Sequence, residues 1–142
     1  MKLNHFTDFS LRILIFLYHQ DANTTASLDE LSDKLKVSRN HLIKVVQFLA
    51  NQNLINTKRG KNGGITISDK GKEIQLGNLI NILEQDETPI INCNAKPCVF
   101  QSQKCKLKSF FDIAYIAFLE SLNQYKLADL AFNNWNQIFE KK

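Results

Sequence analysis

Apolar residues recur along most of this chain with the spacing of helices, and one short region between residues 54 and 68 alternates as strands do. The first apolar run predicts a helix from about Thr7 to His19, with Thr7 and Asp8 as its candidate caps. Its apolar side chains cover more than one stripe. We therefore expect this helix to be buried on more than one side.

A short helix, a tight turn and a longer basic helix follow. Ser27 opens the short helix, residues 28–35, with the capping-box pattern S-x-x-E. The turn is "KVS", and Ser38 caps the longer helix, "RNHLIKVVQFLANQN". This order is typical of a helix-turn-helix. The inward positions predicted for the longer helix are Leu42, Val45, Val46 and Leu49.

The strand-like region predicts a β-hairpin. Residues 54–57 and 65–68 alternate, and the basic loop "KRGKNGG" lies between them. We expect Gly63 and Gly64 to supply the positive-φ positions of the turn. A hairpin with a basic tip that directly follows the longer helix is a wing, so the two together predict a winged helix-turn-helix.

The second half of the chain returns to helical spacing. One helix is predicted within "SDKGKEIQLGNLINILEQ", and a helix of about six turns within "KSFFDIAYIAFLESLNQYKLADLAF". The last helix carries more apolar surface than one contact needs, so we expect it to pair with a second subunit. Between the two lies the cysteine segment, residues 86–106, predicted as a loop. The apolar side of the first of these helices is Ile74, Leu79, Ile80 and Leu83.

The predicted fold is mainly α with a small β-hairpin. A winged helix-turn-helix DNA-binding domain is expected over residues 1–72, and a connecting helix with the cysteine segment over 73–108. A long C-terminal dimerisation helix and a tail are expected over 109–142.

Charge separates the two halves of the chain. Residues 1–72 carry eleven basic and six acidic side chains, whereas residues 73–142 carry seven and eight. A basic half indicates a polyanion, most often nucleic acid, although the same charges also suit a solvated helix face. The helix-turn-helix and the wing favour double-stranded DNA. The residues predicted to contact it are Ser38, Arg39, Asn40, His41 and Lys44 at the start of the longer helix, and Lys58, Arg59 and Lys61 in the wing.

All three cysteines, Cys93, Cys98 and Cys105, lie in the cysteine segment with the spacing C-x4-C-x6-C. The N-terminus lacks the apolar region of a secretory signal peptide, and no apolar run is long enough to cross a membrane, so we expect a cytoplasmic protein. In that reducing location, clustered thiols favour metal binding or redox work over structural disulfides. An iron–sulfur cluster fits best, while zinc, a redox disulfide and inert thiols stay open.

The chain resembles the IscR/NsrR family of iron–sulfur winged-helix regulators over nearly its whole length. The matching stretches are "FTDFSLRILIFL", "SRNHLIKVVQFLANQNLI", "KRGKNGG", "IQLGNLINILE" and the three-cysteine segment before a long helix. The resemblance implies a homodimeric transcription factor whose cluster state controls its affinity for an operator. A two-fold dimer presents two recognition helices, so an inverted-repeat operator is expected.

Two branches of that family differ in the fourth cluster ligand. IscR-like members use a His three residues after the last Cys, and Lys108 stands there in this chain. NsrR-like members use an Asp near the N-terminus that reaches across the dimer to a [4Fe–4S] cluster, and Asp8 matches it. The resemblance therefore implies a repressor that senses nitric oxide, with Cys93, Cys98, Cys105 and Asp8 as cluster ligands.

Other functions are compatible with the same sequence. A regulator of this fold could hold a [2Fe–2S] cluster and sense redox or cluster status, or it could respond through thiols without a cluster. An iron–sulfur carrier or enzyme is less favoured, because the chain shows no nucleotide-binding glycine motif and no catalytic grouping of His, Asp and Ser. We expect no enzymatic activity.

Overall fold

The computed structural model describes residues 2–84, 90–94, 98–100 and 105–140, which form seven α-helices, one two-stranded antiparallel sheet and one 3₁₀-helix. Of the cysteine segment, residues 86–89, 95–97 and 101–104 lie outside the described residues. The elements are α1 His5–Tyr18, α2 Leu28–Leu35, α3 Arg39–Asn51, β1 Ile55–Lys58, β2 Gly64–Ile67, α4 Asp69–Glu73, α5 Leu76–Leu83, α6 Leu107–Leu122, the 3₁₀-helix Leu127–Leu130 and α7 Trp135–Ile138.

Helix α1 begins two residues earlier than predicted. Asn4 is its N-cap, because the Asn4 side chain accepts a hydrogen bond from the Thr7 amide (2.8 Å). The predicted caps were wrong: Thr7 is fully buried inside the helix, and Asp8 lies in its first turn. Burial on more than one side is confirmed by the six buried residues of α1, which are Thr7, Ser10, Ile13, Leu14, Phe16 and Leu17.

The predicted helix-turn-helix is confirmed as α2 and α3. Ser27 caps α2 by accepting from the Glu30 amide (3.1 Å), while the Glu30 carboxylate pairs with Lys34 (3.0 Å) and so does not complete the capping box. Lys36 ends α2 in the left-handed conformation (φ 54°), and Ser38 caps α3. The four predicted inward residues of α3 are all buried.

The wing is present, with each strand displaced by one residue from its prediction. Ile55 pairs with Ile67, and Lys58 pairs with Gly64. The positive-φ prediction holds for Gly64 (148°) but was wrong for Gly63; the second such glycine is Gly60 (106°). Gly63 serves a different purpose, since a Cβ there would collide with the Lys58 carbonyl oxygen.

The single helix predicted after the wing is two helices. α4 ends at Glu73, Ile74 is extended, and α5 begins at Leu76. The helix is interrupted here because its backbone bonds a distant part of the same chain: the Leu76 amide donates to the Tyr125 carbonyl (2.9 Å). The predicted apolar residues of this region are confirmed as buried for Leu79, Ile80 and Leu83, and Ile74 is partly buried against the core.

The long C-terminal helix is shorter than predicted. α6 ends at Leu122, where Asn123 turns back and its side chain accepts from the Asn78 amide (2.9 Å). A local acceptor of this kind competes with continued helix. The chain then re-enters the core at Leu127, which is fully buried, and α7 packs its Trp135 ring against Phe16 of α1 (5.7 Å between centroids). Within the described ranges, no helix combines the length and the apolar character needed to cross a membrane.

Candidate DNA-binding surface and cysteine segment

The first turn of α3 presents most of the residues predicted to meet DNA. Ser38, Arg39, Asn40, His41 and Lys44 are all exposed. Three of them form hydrogen bonds within the chain: the Ser38 hydroxyl lies 2.9 Å from His41 Nδ1, and Arg39 Nε donates to Asp29 Oδ1 (3.0 Å). Because both partners of the Arg39–Asp29 pair are exposed, its loss costs little, and the guanidinium is available to a phosphate or a base.

Helix α3 packs against α1 through aromatic rings. The His41 ring lies 5.7 Å from the Phe9 ring, and Phe48 packs edge-on against Phe6 at 5.1 Å. These contacts join the N-terminal half of α1 to the helix that carries the predicted base contacts. A displacement of α1 would therefore be transmitted to α3 through packed rings.

The wing and α3 border a common groove of about 580 Å³. Lys58 and Arg59 line it from the wing, and Ile43 and Gln47 line it from α3. The hairpin is fixed to the body by two hydrogen bonds between Ala26 and Ile65 (2.8 and 3.0 Å). The structure thus brings the wing cations beside α3, and Lys61 is exposed in the loop between the strands.

Gln47 was missed by sequence reasoning. It is exposed on α3 in the groove shared with the wing. Asn40, Lys44 and Gln47 follow the spacing i, i+4, i+7, which places them on one face of a helix. This spacing was available in the sequence and extends the predicted surface by one amide side chain.

The three cysteines are free thiols in this structure. Cys93 and Cys98 are half-buried and Cys105 is exposed. Among the described residues, no three His, Cys, Asp or Glu side chains are gathered closely enough to hold a metal ion. One chain therefore does not assemble the predicted ligand set, and the roles of Cys93, Cys98 and Cys105 stay predictions.

The start of α6 carries an ion pair between Lys108 and Asp112. Lys108 is hydrogen-bonded to Asp112 (2.6 Å), which together with the charge of Asp112 raises the pKa of Lys108, and Cys93 adds a smaller rise. The Lys108 ammonium is thus already paired within α6.

Asp8 is half-exposed and forms a two-point contact with Arg12. The distances are 2.8 Å from Arg12 Nη2 to Asp8 Oδ2 and 3.2 Å from Nε to Oδ1. Its expected role as a ligand involves the other subunit of a dimer, so a single chain leaves that prediction untested. The donor chemistry of the three free thiols suits an iron–sulfur cluster, which thiolates hold. The carboxylate of Asp8 is the fourth ligand that the resemblance implies.

Helix α6 leaves a continuous apolar face uncovered. None of its sixteen residues is buried. Phe110, Ile113 and Ile116, which are spaced by three residues, are 60, 64 and 55% exposed. Exposed apolar surface of this extent marks an interaction site, which agrees with the expected pairing of this helix with a second subunit.

Comparison with known proteins gives a family and a fold. The model of the Rrf2 family, described as iron-dependent transcriptional regulators, matches residues 3–133. The HTH-type transcriptional regulator NsrR of Bacillus licheniformis is 36% identical over 135 residues, which are 94% of this chain and 94% of that protein.

Two solved structures share the fold. CymR of Bacillus subtilis, a global cysteine regulator, has a TM-score of 0.68 at 23% identity and covers 92% of this chain and 96% of its own. IscR of T. potens has a TM-score of 0.68 at 18% identity and covers 92% of this chain and 85% of its own. At these identities the likeness shows the fold alone.

Proposed function

This chain belongs to the Rrf2 family of iron-dependent transcriptional regulators, and we propose that it is a DNA-binding repressor that senses nitric oxide through a [4Fe–4S] cluster. It is a transcriptional regulator and a homologue of NsrR, not an enzyme. Cys93, Cys98 and Cys105 of one subunit hold the cluster in this proposal, and Asp8 of the other subunit supplies the fourth ligand. The resemblance described above supports both the cluster type and the signal.

The observation that carries the proposal is the place of Asp8 in the fold. Asp8 lies on α1, and α1 packs its Phe6 and Phe9 rings against Phe48 and His41 of α3. A cluster ligand on α1 therefore belongs to the helix that packs directly against α3, which carries the predicted base contacts. Binding or release of the Asp8 carboxylate would therefore bias the position of α3.

In the proposal, the cysteine thiolates and the Asp8 carboxylate have different roles as cluster ligands. The thiolates anchor the cluster, and the Asp8 carboxylate is a harder and weaker ligand for iron than thiolate is. When bound, the cluster supplies iron with which nitric oxide reacts. An Asp8 carboxylate that does not bind the cluster would stay paired with the Arg12 guanidinium, which lies 2.8 Å away in the structure.

On the DNA side, the chain supplies two kinds of contact. Base edges or phosphates in the major groove are contacted by Arg39, Asn40 and His41, together with Ser38 in the turn before α3. Lys44 contacts the DNA backbone. The wing residues Lys58, Arg59 and Lys61 bind phosphate or enter the minor groove. A homodimer paired through α6 presents these surfaces twice and so selects an inverted repeat.

Anaerobic purification followed by iron and sulfide quantification and Mössbauer spectroscopy tests the cluster. We expect about four irons and four sulfides per subunit for a [4Fe–4S] cluster. Cys93→Ser should lose them, whereas Ser109→Ala, outside the proposed ligand set, should keep them. About two irons per subunit would instead favour the [2Fe–2S] regulator. A metal-free protein with a reversible disulfide would favour the thiol-redox regulator.

A further inference from the structure

The start of α1 is fastened to the end of α5 by one carboxylate. Glu84 Oε1 accepts from the Asn4 backbone amide (3.0 Å), and Glu84 Oε2 accepts from Asn4 Nδ2 (3.1 Å). Both residues are half-buried, and eighty positions separate them in the chain. Charge-assisted hydrogen bonds made in parallel fix the geometry more firmly than one bond does.

The same Asn4 side chain also caps α1. While Asn4 Nδ2 donates to Glu84, Asn4 Oδ1 accepts from the Thr7 amide at 2.8 Å. Asn4 is therefore held on one side by α5 and on the other by the first turn of α1. A shift of Glu84 must either move the beginning of α1 or break both bonds, which gives the contact two discrete states.

Glu84 occupies the end of α5, two residues before the cysteine segment and nine before Cys93. Helix α5, which Glu84 follows, packs against α6. On α6, burial raises the pKa of Tyr115, and the charge of Glu84 adds to that rise. The residue thus lies where the end of α5 meets the first turn of α1, and in the sequence it comes two residues before the cysteine segment. That turn contains Asp8 and leads to the aromatic contacts with α3.

We propose that Glu84 is a positioning residue that transmits the state of the cysteine segment to α1, and through α1 to α3, by way of its paired hydrogen bonds to Asn4. The inference rests on the proposed function and adds a route by which that function operates. Glu84 acts in it as a hydrogen-bond acceptor for Asn4 and not as a cluster ligand.

A reciprocal exchange of the two side chains tests this route. Glu84→Gln replaces one acceptor oxygen with an NH₂ group, which cannot accept the hydrogen bond from the NH₂ group of Asn4. Asn4→Asp removes that donor and places a second carboxylate opposite Glu84. Combined in one chain, Glu84→Gln and Asn4→Asp restore both bonds, because the new Gln amide donates to the new carboxylate and its oxygen still accepts the backbone amide. The helix cap on the Thr7 amide survives in every variant, since Asp caps as well as Asn.

Two readouts are measured for each variant. The first is the ratio of operator affinities with and without the cluster. The second is hydrogen exchange of the Thr7 and Asp8 amides in cluster-free protein, which reports α1 without any cluster. Each single variant should bring the affinity ratio close to one and speed exchange about tenfold, the effect of losing a charged hydrogen bond. The double variant should return both readouts to the original values.

Glu73→Gln is the matched control, because Glu73 is 69% exposed and pairs with Lys126 away from Asn4. It should change neither readout. An unchanged affinity ratio in Glu84→Gln would overturn the inference, and so would a ratio lost in Glu84→Gln and not restored by the double variant. If the unsubstituted protein itself shows no cluster-dependent affinity, the proposed function fails, and this inference falls with it.

Discussion

At the scale of single residues, the proposal predicts that Asp8 couples the cluster to DNA binding. Asp8→Ala should retain a cluster, because three cysteines still anchor it, but the operator affinity should no longer depend on nitric oxide. Each Cys→Ser variant should lose or strongly destabilise the cluster. Cluster absorbance and operator affinity, measured anaerobically before and after addition of nitric oxide, compare these variants.

Arg12→Ala separates ligation from the local ion pair. Both partners of the Asp8–Arg12 pair are about half exposed, so the pair itself contributes about 1 kcal/mol or less. If Asp8 acts as a ligand, Arg12→Ala should leave the response to nitric oxide intact. An Asp8→Ala variant that responds normally would reduce Asp8 to a helix N-terminal carboxylate stabilised by the helix dipole.

The predicted DNA contacts divide into base readers and phosphate binders. Arg39→Ala or Asn40→Ala should cost about 1–3 kcal/mol of operator binding and relax sequence preference. Lys58→Ala should weaken binding to operator and random DNA alike and reduce the salt slope by about one. Binding titrations on both DNAs at several salt concentrations distinguish the two classes. Identical behaviour of all variants would refute the division.

Contacts between residues that are close in the sequence were predictable from it. Ser27 and Ser38 cap the helices that they were expected to cap, because a capping side chain reaches an amide only two or three residues away. The Asn4–Glu84 contact was not predictable, since eighty residues separate the partners. The same limit applies to the cluster ligands, whose assembly depends on a second subunit in the proposed mechanism.

At the scale of elements, tertiary contacts decided where helices end. The apolar spacing in the sequence remains helical through Ile74 and past Leu122, but the helices end at both points. Asn123 bonds the Asn78 amide, and Leu76 bonds the Tyr125 carbonyl, so that α5 and the end of α6 fix each other. Periodicity within one segment contains no information about such partners.

Gly77 lets α5 and α6 approach at this junction. A Cβ at Gly77 would collide with the Leu119 carbonyl oxygen, which belongs to the helix backbone and cannot rotate away. Gly77→Ala gains about 1 kcal/mol of helix propensity, but overpacking costs up to about 3 kcal/mol. We expect net destabilisation in urea denaturation at fixed protein concentration.

Asn81→Ala is the control for this substitution. Asn81 is exposed on the same helix, so the change to Ala should stabilise slightly through propensity alone. If Gly77→Ala also stabilised the protein, the close approach of α5 and α6 at Gly77 would be contradicted.

At the scale of the whole molecule, the last described residues pack onto the C-terminal end of α1. Trp135 lies 4.2 Å from the His19 ring and 5.0 Å from Phe139, and the Phe132 amide donates to His19 Nε2 (2.8 Å). From the sequence, this region is predicted only as a tail after the dimerisation helix. Helix α7 has only four residues, which is too short for periodicity to identify.

Dimerisation through α6 follows from its exposed apolar face. Ile113→Asp combined with Ile116→Asp should give monomers that bind the operator poorly, because an unpaired carboxylate buried in an interface costs several kcal/mol. Tyr125→Asp is the control, since Tyr125 is 53% exposed and lies outside α6. Sedimentation at micromolar concentration measures the state of each variant. A monomeric unsubstituted protein would contradict the expected assembly.

The central claim is that the state of a cluster in the cysteine segment sets the affinity of the winged helix for DNA. The most direct test is a nitric oxide titration of anaerobically purified protein, with cluster absorbance and operator binding followed in the same samples. We predict that operator affinity falls in proportion to the loss of cluster absorbance. Operator binding that stays constant while the absorbance disappears would contradict the account.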